Sequence, residues 1–233
     1  MIRLLTALAL PGISALPTLS AQEDFTDQAG ILQVMNLVSL KTPTYMSLDA
    51  FKFNRGEPVE IGSGSGSLAL RPGELTFSIA NPGAKPATAT LPINIENGKS
   101  VVVICYDEVK SFKDGSEEAR LRFSVLTEAP PTTVPELTLV SLMTEESISL
   151  SIEGRPYRVK PKSPVDIDIA DKETVAIKSG KKTLIDFESE RPGHYIVFLF
   201  QDPEAGEPSA SLVHNETLEY HPPREEDDED PDQ

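Results

Sequence analysis

An internal repeat constrains the fold of this chain more than any other feature of its sequence. Short segments of the first half recur in the same order in the second half, about a hundred residues further on. The matched segments are, in order, Leu37–Leu40 with Leu139–Leu142, Met46–Asp49 with Leu150–Glu153, Pro58–Ile61 with Pro164–Ile167, Leu68–Gly73 with Val175–Gly180, Val101–Asp107 with Ile196–Asp202, and Ala119–Leu121 with Ala210–Leu212. Because solenoid units repeat every ~20 to 50 residues, this spacing predicts a duplicated domain.

The local pattern inside each copy is that of β-strands. Apolar and polar residues alternate in Leu75–Ile79 and in Ile148–Ile152, which places alternate side chains on opposite faces of a sheet. Turn pairs such as Asn97-Gly98 and Glu153-Gly154 separate these segments. We predict an all-β chain of two tandem antiparallel β-sandwich domains of the immunoglobulin-like class, with six or seven short strands in each. A Cys…Trp…Cys framework is missing, so the sequence does not indicate a true immunoglobulin domain.

The first residues have the pattern of a secretory signal peptide. Arg3 gives a positive start, Leu4–Ile13 is a short apolar run, and Leu19–Ala21 offers a cleavage site that ends in a small residue. The run is well below the ~20 apolar residues that span a bilayer, and no later stretch reaches that length. We therefore predict export to the periplasm or the extracellular space, with no integral membrane segment in the mature chain.

Composition sets the predicted boundaries of the domains. Residues 1–21 are the signal peptide, residues 22–128 the first sandwich and residues 136–221 the second. Residues 129–135 form a linker, because three prolines among polar neighbours favour extended backbone. Residues 222–233 form an acidic tail with no apolar side chain to bury, so we predict that it is disordered. The tail could act as a solubilising spacer, or could bind divalent cations or a basic partner weakly.

Net charge restricts the partners. The chain carries 37 acidic and 21 basic residues, a formal charge of −16, so it would repel the phosphates of nucleic acid and an anionic bilayer. We therefore predict no nucleic-acid binding, and expect a protein or a glycan as partner.

No motif in the sequence predicts catalysis or a bound cofactor. The single cysteine, Cys105, cannot form a disulfide within the chain and lies in an apolar run that predicts a strand buried on both faces. The Gly62–Gly66 segment lacks the helix and the Lys-Ser or Lys-Thr pair of a phosphate loop, and we interpret it as a flexible connection between strands. The three histidines, His194, His214 and His221, lack the short ligand spacing of a zinc site.

Calcium is the one metal for which the sequence offers candidate ligands. Asp166, Asp168, Asp171 and Glu173 cluster in one segment, and carboxylate oxygens are the ligands that this ion prefers. The turn glycine of an EF-hand loop is absent. Asp166 and Asp168 would share one strand face, so a solvated acidic edge that discourages sheet aggregation explains them equally well.

The order of strands and turns resembles a group of bacterial exported domains of unknown function that occur as tandem β-sandwich repeats. The resemblance covers residues 31–126 and 136–214, and includes the Pro58–Ile61, Leu68–Gly73 and Val101–Ile104 segments. It implies a sandwich fold and a cell-envelope or extracellular setting, and implies no site residue.

These observations favour an exported, non-enzymatic binding or structural module. A first alternative is a small-ligand binder or enzyme with a site between the two domains, for which the sequence offers Asp107, Glu108, Arg155, Tyr157 and His194. A second alternative is a strand-accepting periplasmic chaperone, which would require an exposed apolar edge. The prolines and charges at the strand ends argue against such an edge.

Overall fold

The protein is built almost entirely from β-strands. A computed structural model describes residues 29–112, 115–128, 132–143, 147–215 and 218–220. Within these ranges there is no α-helix, and seventeen strands form four sheets. None of the described segments is a helix with the length and apolar character that a membrane crossing requires. The all-β prediction is confirmed.

The strands divide between two halves of the chain. Those of the first half are β1 (Gly30–Leu37), β2 (Tyr45–Leu48), β3 (Phe51–Lys52), β4 (Leu68–Leu70), β5 (Gly73–Ala80), β6 (Thr88–Ile95), β7 (Ser100–Ser111) and β8 (Glu117–Glu128), with a short 3-10 segment at Phe53–Gly56. Those of the second half are β9 (Pro135–Ser141), β10 (Ile148–Ile152), β11 (Arg155–Val159), β12 (Val165–Asp168), β13 (Thr174–Ser179), β14 (Lys182–Glu188), β15 (Gly193–Gln201) and β16 (Pro208–Asn215), followed by β17 (Leu218–Tyr220).

Each half contains two sheets, and the strand order is the same in both halves. The outer sheets have the orders β3-β2-β5-β6 and β11-β10-β13-β14. The inner sheets have the orders β8-β7-β1-β4 and β16-β15-β9-β12, with β17 added at the β8 edge of the first. Most pairs are antiparallel, but β1 runs parallel to β7 and β9 runs parallel to β15. Each half thus has eight strands instead of the six or seven predicted, because very short strands such as β3 give no alternation to detect.

Three apolar layers hold the four sheets together. The first lies between the sheets of the first half and includes Phe77 and Ile79. The second lies between the sheets of the second half and includes Leu150 and Ile177. The third, here called the junction layer, lies between the two inner sheets, and its buried members are Leu37, Val102, Ile104, Tyr106, Leu126, Val140, Ile196, Phe198, Phe200 and Val213. The sheets therefore stack in the order outer, inner, inner, outer.

The strand that contains Cys105 is buried on both faces, as its apolar run predicts. Val103 and Cys105 belong to the core of the first half, whereas Val102 and Ile104 belong to the junction layer. Burial raises the pKa of the Cys105 thiol well above its usual value. The thiol is therefore a small apolar group of the core and is held in its neutral, poorly nucleophilic form.

The two ends of the predicted second sandwich lie differently from the sequence-based boundaries. Pro135, predicted as the end of the linker, begins β9 and pairs with Gly193. β17, predicted within the second sandwich, pairs antiparallel with β8 of the first half, from Leu218 opposite Glu128 to Tyr220 opposite Leu126. The chain therefore returns to the first half after β16. The predicted signal peptide and acidic tail lie outside the described residues.

Hydrogen bonds define which positions of the two halves correspond. Gly62 donates its backbone N–H to the Asn36 carbonyl at 2.7 Å, and Lys162 donates its own to the Ser141 carbonyl at 3.0 Å. Asn36 lies opposite Cys105 in the first half, and Ser141 lies opposite Leu199 in the second. Two residues further along β7 and β15, Asp107 corresponds to Gln201.

Candidate functional site

A cavity opens at one end of the junction layer, where the two halves meet. Its volume is about 280 Å³, and both halves contribute to its walls. Val109, Leu142 and Met143 supply apolar surface, and the polar groups of the lining come from Asp107, Glu108, Ser141 and Lys162. We call this space the junction cavity. The cavity thus combines apolar walls with a few convergent polar groups, a combination that ligand pockets also have.

Asp107 is the most deeply buried acid of the cavity wall. It extends from β7 and is 9 % exposed. One of its carboxylate oxygens accepts the backbone N–H of Ser39. Burial raises the pKa of Asp107, and the backbone hydrogen bond from Ser39 opposes that shift only in part. Asp107 has no ion pair among the described residues, so it is the acidic group of the cavity whose charge is least compensated.

Glu108 lies beside Asp107 and is held by two cations. It accepts a hydrogen bond from Arg122 Nε at 3.1 Å and another from Lys162 Nζ. Partial burial acts to raise the pKa of Glu108, but the hydrogen bonds and charges of Lys162 and Arg122 outweigh it, and the pKa is lowered. Since Glu108 belongs to the first half and Lys162 to the second, this ion pair crosses the junction.

Lys162 adopts a backbone conformation that is unusual for a residue with a side chain. Its φ is +56°, and the corresponding residue of the first half is Gly62, with φ +79°. The left-handed conformation costs a non-glycine residue about 1–2 kcal/mol. A side chain thus occupies a position where glycine would fit without strain, and that side chain supplies the cation for Glu108. At the other end of the junction, an ideal Cβ built on Gly62 would lie 3.6 Å from the ring of Phe200.

The structure brings together two of the five residues predicted for a site between the domains. Asp107 and Glu108 both line the junction cavity. Arg155 and Tyr157 lie on β11, at an edge of the outer sheet of the second half. His194 lies on β15 with its Nδ1 3.5 Å from a carboxylate oxygen of Glu136. These three residues do not line the cavity.

The four predicted calcium ligands do not form a ligand set. Asp166 accepts a hydrogen bond from the Thr138 hydroxyl at 2.8 Å, and Asp168 accepts the backbone N–H of Ala170 at 3.0 Å. Asp171 pairs with Lys172 at 3.0 Å, and Glu173 accepts the N–H of Ser189 with its backbone carbonyl. In the part of the chain that the structure describes, no group of three or more His, Cys, Asp or Glu side chains is arranged to hold a metal ion.

The glycine-rich segment and the histidines also have structural partners. Ser65 donates its N–H to the Val34 carbonyl at 2.8 Å and accepts the Val34 N–H with its hydroxyl at 2.9 Å, so the segment follows the edge of β1. No helix begins after it. His214 stacks on Tyr195 with ring centroids 4.1 Å apart. His221 lies outside the described residues.

Sequence reasoning missed Lys162 and Ser141 as members of the cavity. Lys162 lies 54 residues from Glu108 in the chain. The turn that holds Lys162 contains prolines that mark a loop but do not indicate which strand lies opposite. Only the packing of the two inner sheets brings these residues together.

Comparison with protein-family models and with curated proteins finds no match for this sequence. The functional argument therefore depends on the geometry of the chain itself.

Proposed function

We propose that the protein is an exported, non-enzymatic binding module of the cell envelope or the extracellular space. The observation that carries this proposal is the junction layer, which joins the two halves through an apolar interior. Its large side chains, Phe198 and Phe200 among them, are almost fully buried. A chain with this much apolar packing between sheets is suited to hold loops and strand edges in fixed positions for a partner.

We also infer that the two halves arose by duplication of one immunoglobulin-like sandwich. The identical strand orders and the parallel pairs β1·β7 and β9·β15 support this inference. Duplication would explain why the two halves contact each other through equivalent strands of their inner sheets, as two subunits of a twofold homodimer do.

The proposal is tested by expression of the full chain in a bacterial host, followed by fractionation and intact-mass measurement. Export predicts a chain that begins at Gln22 and is found in the envelope fraction or the medium. The matched control is a chain with Ala21→Arg, which removes the small residue from the cleavage site and should remain uncleaved. Recovery of the wild-type chain from the cytoplasm with Met1 still attached would refute export.

The junction cavity favours one alternative function, the binding of a small ligand with a cationic group. Asp107 is an acid without an ion-pair partner among the described residues, and Val109, Leu142 and Met143 provide apolar walls beside it. The test is thermal unfolding with a series of n-alkylamines, each compared with the alcohol of equal length. Binding to the folded state raises the unfolding midpoint. A rise with the amines that is absent in the Asp107→Asn variant supports the site, and equal behaviour of amines and alcohols contradicts it.

A further inference from the structure

The edge strands of the four sheets differ in how well they are protected against further pairing. A sheet edge presents unpaired backbone groups, and proteins commonly blunt it by short length, proline or charge. Seven of the eight edges in the described ranges have such protection: β3, β4 and β17 have two or three residues, β6 contains Pro92, β11 contains Pro156, β12 carries Asp166 and Asp168, and β14 carries Lys182, Asp186 and Glu188. The exception is β16.

β16 is long, regular and uncharged. Its eight residues, Pro208–Asn215, include no Asp, Glu, Lys or Arg, and its proline lies at the first position. It pairs with β15 in unbroken register from Pro208 opposite Gln201 to Asn215 opposite His194. Lys182 Nζ reaches the Pro208 carbonyl at 3.5 Å, which covers the start of the strand. Among the described residues β15 is the strand that pairs with β16, so no described strand is hydrogen-bonded to the outer backbone groups of 209–215, although β14 of the other sheet lies close to β16.

The corresponding edge of the first half shows that this position can hold an added strand. β8 occupies the place of β16 in the first inner sheet, and β17 pairs with it antiparallel over Leu218–Tyr220. The chain thus covers the last three residues of the β8 edge, 126–128, with its own backbone, and no described strand is added to residues 117–125 of that edge. The equivalent edge on β16 is free of such a strand in the described part of the chain.

We propose that the outer edge of β16, residues 209–215, binds an extended peptide segment of a partner protein by antiparallel strand addition. This inference rests on the proposed function, for which it names the surface and the class of partner. Main-chain hydrogen bonds supply the affinity in this mode of recognition, and alternate side chains supply the selectivity.

Charge determines which occupant fits. The whole chain carries a net charge of −16. Acidic residues also lie near β16, with Glu204 in the preceding turn and Asp186 and Glu188 on β14, the neighbouring edge strand of the other sheet, whereas Glu207 is paired with Lys182 at 2.9 Å. A second copy of the chain brings the same large negative charge and is repelled. The partner segment therefore has an uncharged, alternating centre flanked by Lys or Arg.

The test uses the full mature chain and a fluorescent ten-residue peptide with alternating Thr and Val at its centre and two lysines at each end. Fluorescence anisotropy should show saturable binding that weakens as salt is added. Two variants then probe the edge, Ser209→Pro and Ala210→Pro. Because neighbouring residues of a strand direct their N–H groups to opposite sides, one proline removes an N–H from the free edge and the other breaks a bond to β15.

The unfolding midpoint identifies which proline acts on the free edge. The variant that retains the wild-type midpoint should bind the peptide at least about tenfold more weakly. A third variant, Ser209→Lys, leaves the backbone N–H in place and adds a positive charge near the edge; with the wild-type unfolding midpoint retained, it should weaken binding of the basic peptide as well. Its matched control is Thr90→Lys on β6, which makes the same change of charge at the edge of an outer sheet and should leave binding unchanged.

Three results would overturn the inference. The first is the absence of saturable peptide binding to the wild-type chain. The second is equal weakening by Ser209→Lys and Thr90→Lys, which would mean that charge alone attracts the peptide. The third is a wild-type dimer in sedimentation that Ser209→Lys dissociates, which would make a second copy the occupant of this edge. Each of these results is independent of export, which fractionation tests separately.

Discussion

At the scale of single residues, Lys162 and Gly62 occupy equivalent turn positions, but only Lys162 has a strained backbone, and its side chain forms an ion pair across the junction. Both residues have positive φ at the same place in their turns. Gly62 meets this requirement without cost, whereas Lys162 accepts the strain and reaches Glu108 across the junction. The Lys162 and Glu108 side chains are 47 % and 31 % exposed, so the ion pair contributes little more than about 1 kcal/mol.

This balance predicts the behaviour of two substitutions at position 162. Lys162→Ala and Lys162→Gly both remove the ion pair with Glu108, but only the glycine also removes the left-handed strain. The glycine variant should therefore be more stable than the alanine variant by about 1 kcal/mol, measured by urea unfolding. Equal stability of the two variants would show that the left-handed conformation at this turn is not strained.

Asp107 predicts a dependence of stability on pH. Since burial raises its pKa in the folded chain, ionisation of Asp107 opposes folding, and this penalty is fully present above the folded-state pKa. The penalty disappears as the pH falls below the unfolded value of about 3.9. Asp107→Asn keeps an acceptor for the Ser39 N–H and carries no charge. It should raise the free energy of unfolding at pH 7, and this gain should decline as the pH falls towards 3.

The pH series of Asp107→Asn has an internal control at Glu108. The pKa of Glu108 is lowered in the folded chain. Glu108 therefore contributes stability that is present above its unfolded-state pKa and is lost as the pH falls through its folded-state pKa. Glu108→Gln should therefore show the opposite sign, a loss at pH 7 that shrinks in acid. A constant difference between Asp107→Asn and the wild type at every pH would contradict the assignment of the penalty to ionisation.

At the scale of strands, the sequence pattern predicted that strands form but paired the wrong positions of the two halves. The Leu37–Leu40 segment was matched with Leu139–Leu142, yet Leu37 belongs to the junction layer and Leu139 to the core of the second half. Because side chains alternate along a strand, an odd shift in such an alignment exchanges the two faces. Leu68–Leu70 was likewise matched with Val175–Ile177. The first segment is β4, in the inner sheet of the first half, whereas the second lies on β13, in the outer sheet of the second half.

Turn positions were the part of the predicted repeat that the sequence placed at equivalent points of the two halves. Asp49 and Glu153 were matched, and they have φ of +47° and +49° at the tips of corresponding hairpins. Asp49 accepts the N–H of Thr76 at 2.9 Å, and Glu153 accepts that of Ala176 at 3.2 Å. An acidic residue at a tight turn is fixed by local geometry and is visible in the sequence. On a strand that is buried on both faces, the layer towards which an apolar side chain points depends on tertiary packing and cannot be read from the sequence.

β17 gives a prediction at the same scale. A chain that ends at Asn215 lacks β17 and exposes the edge of β8 at residues 126–128, so amide hydrogens of that segment should exchange faster. The matched control ends at Tyr220, which keeps β17 and removes only the residues after it. Hydrogen-exchange mass spectrometry compares the two chains with the full one. Equal exchange at 126–128 in both truncated chains would show that β17 does not protect the β8 edge.

At the scale of the whole molecule, the four-layer stack depends on strands that are apolar on both faces. β7 and β15 each contribute side chains to two apolar layers. The continuous apolar run from Val101 to Tyr106 predicted burial on both faces, which already implies a third layer beyond a two-sheet sandwich. Which sheet supplies that layer could not be predicted, because the contacts of the junction layer join residues far apart in the chain, such as Ile104 and Phe198.

Because the inner sheets share the junction layer, the two halves should unfold together. Separation of the halves would expose the apolar side chains of both inner sheets to water, so neither half can unfold while the other keeps its full stability. Calorimetry of the full chain should therefore show one cooperative transition. Phe77→Ala in the first-half core and Phe198→Ala in the junction layer should each lower the free energy of unfolding by about 3–5 kcal/mol and shift that same transition.

Phe51→Ala provides the matched control, because Phe51 is 57 % exposed. Its ring contacts Phe53 edge-on at 5.3 Å, so its removal should cost less than about 1 kcal/mol. Two separate transitions, with Phe77→Ala shifting only one of them, would show that the halves are independent. The shared junction layer predicts a single unfolding transition instead, which shifts with the cavity of Phe77→Ala and with the cavity of Phe198→Ala.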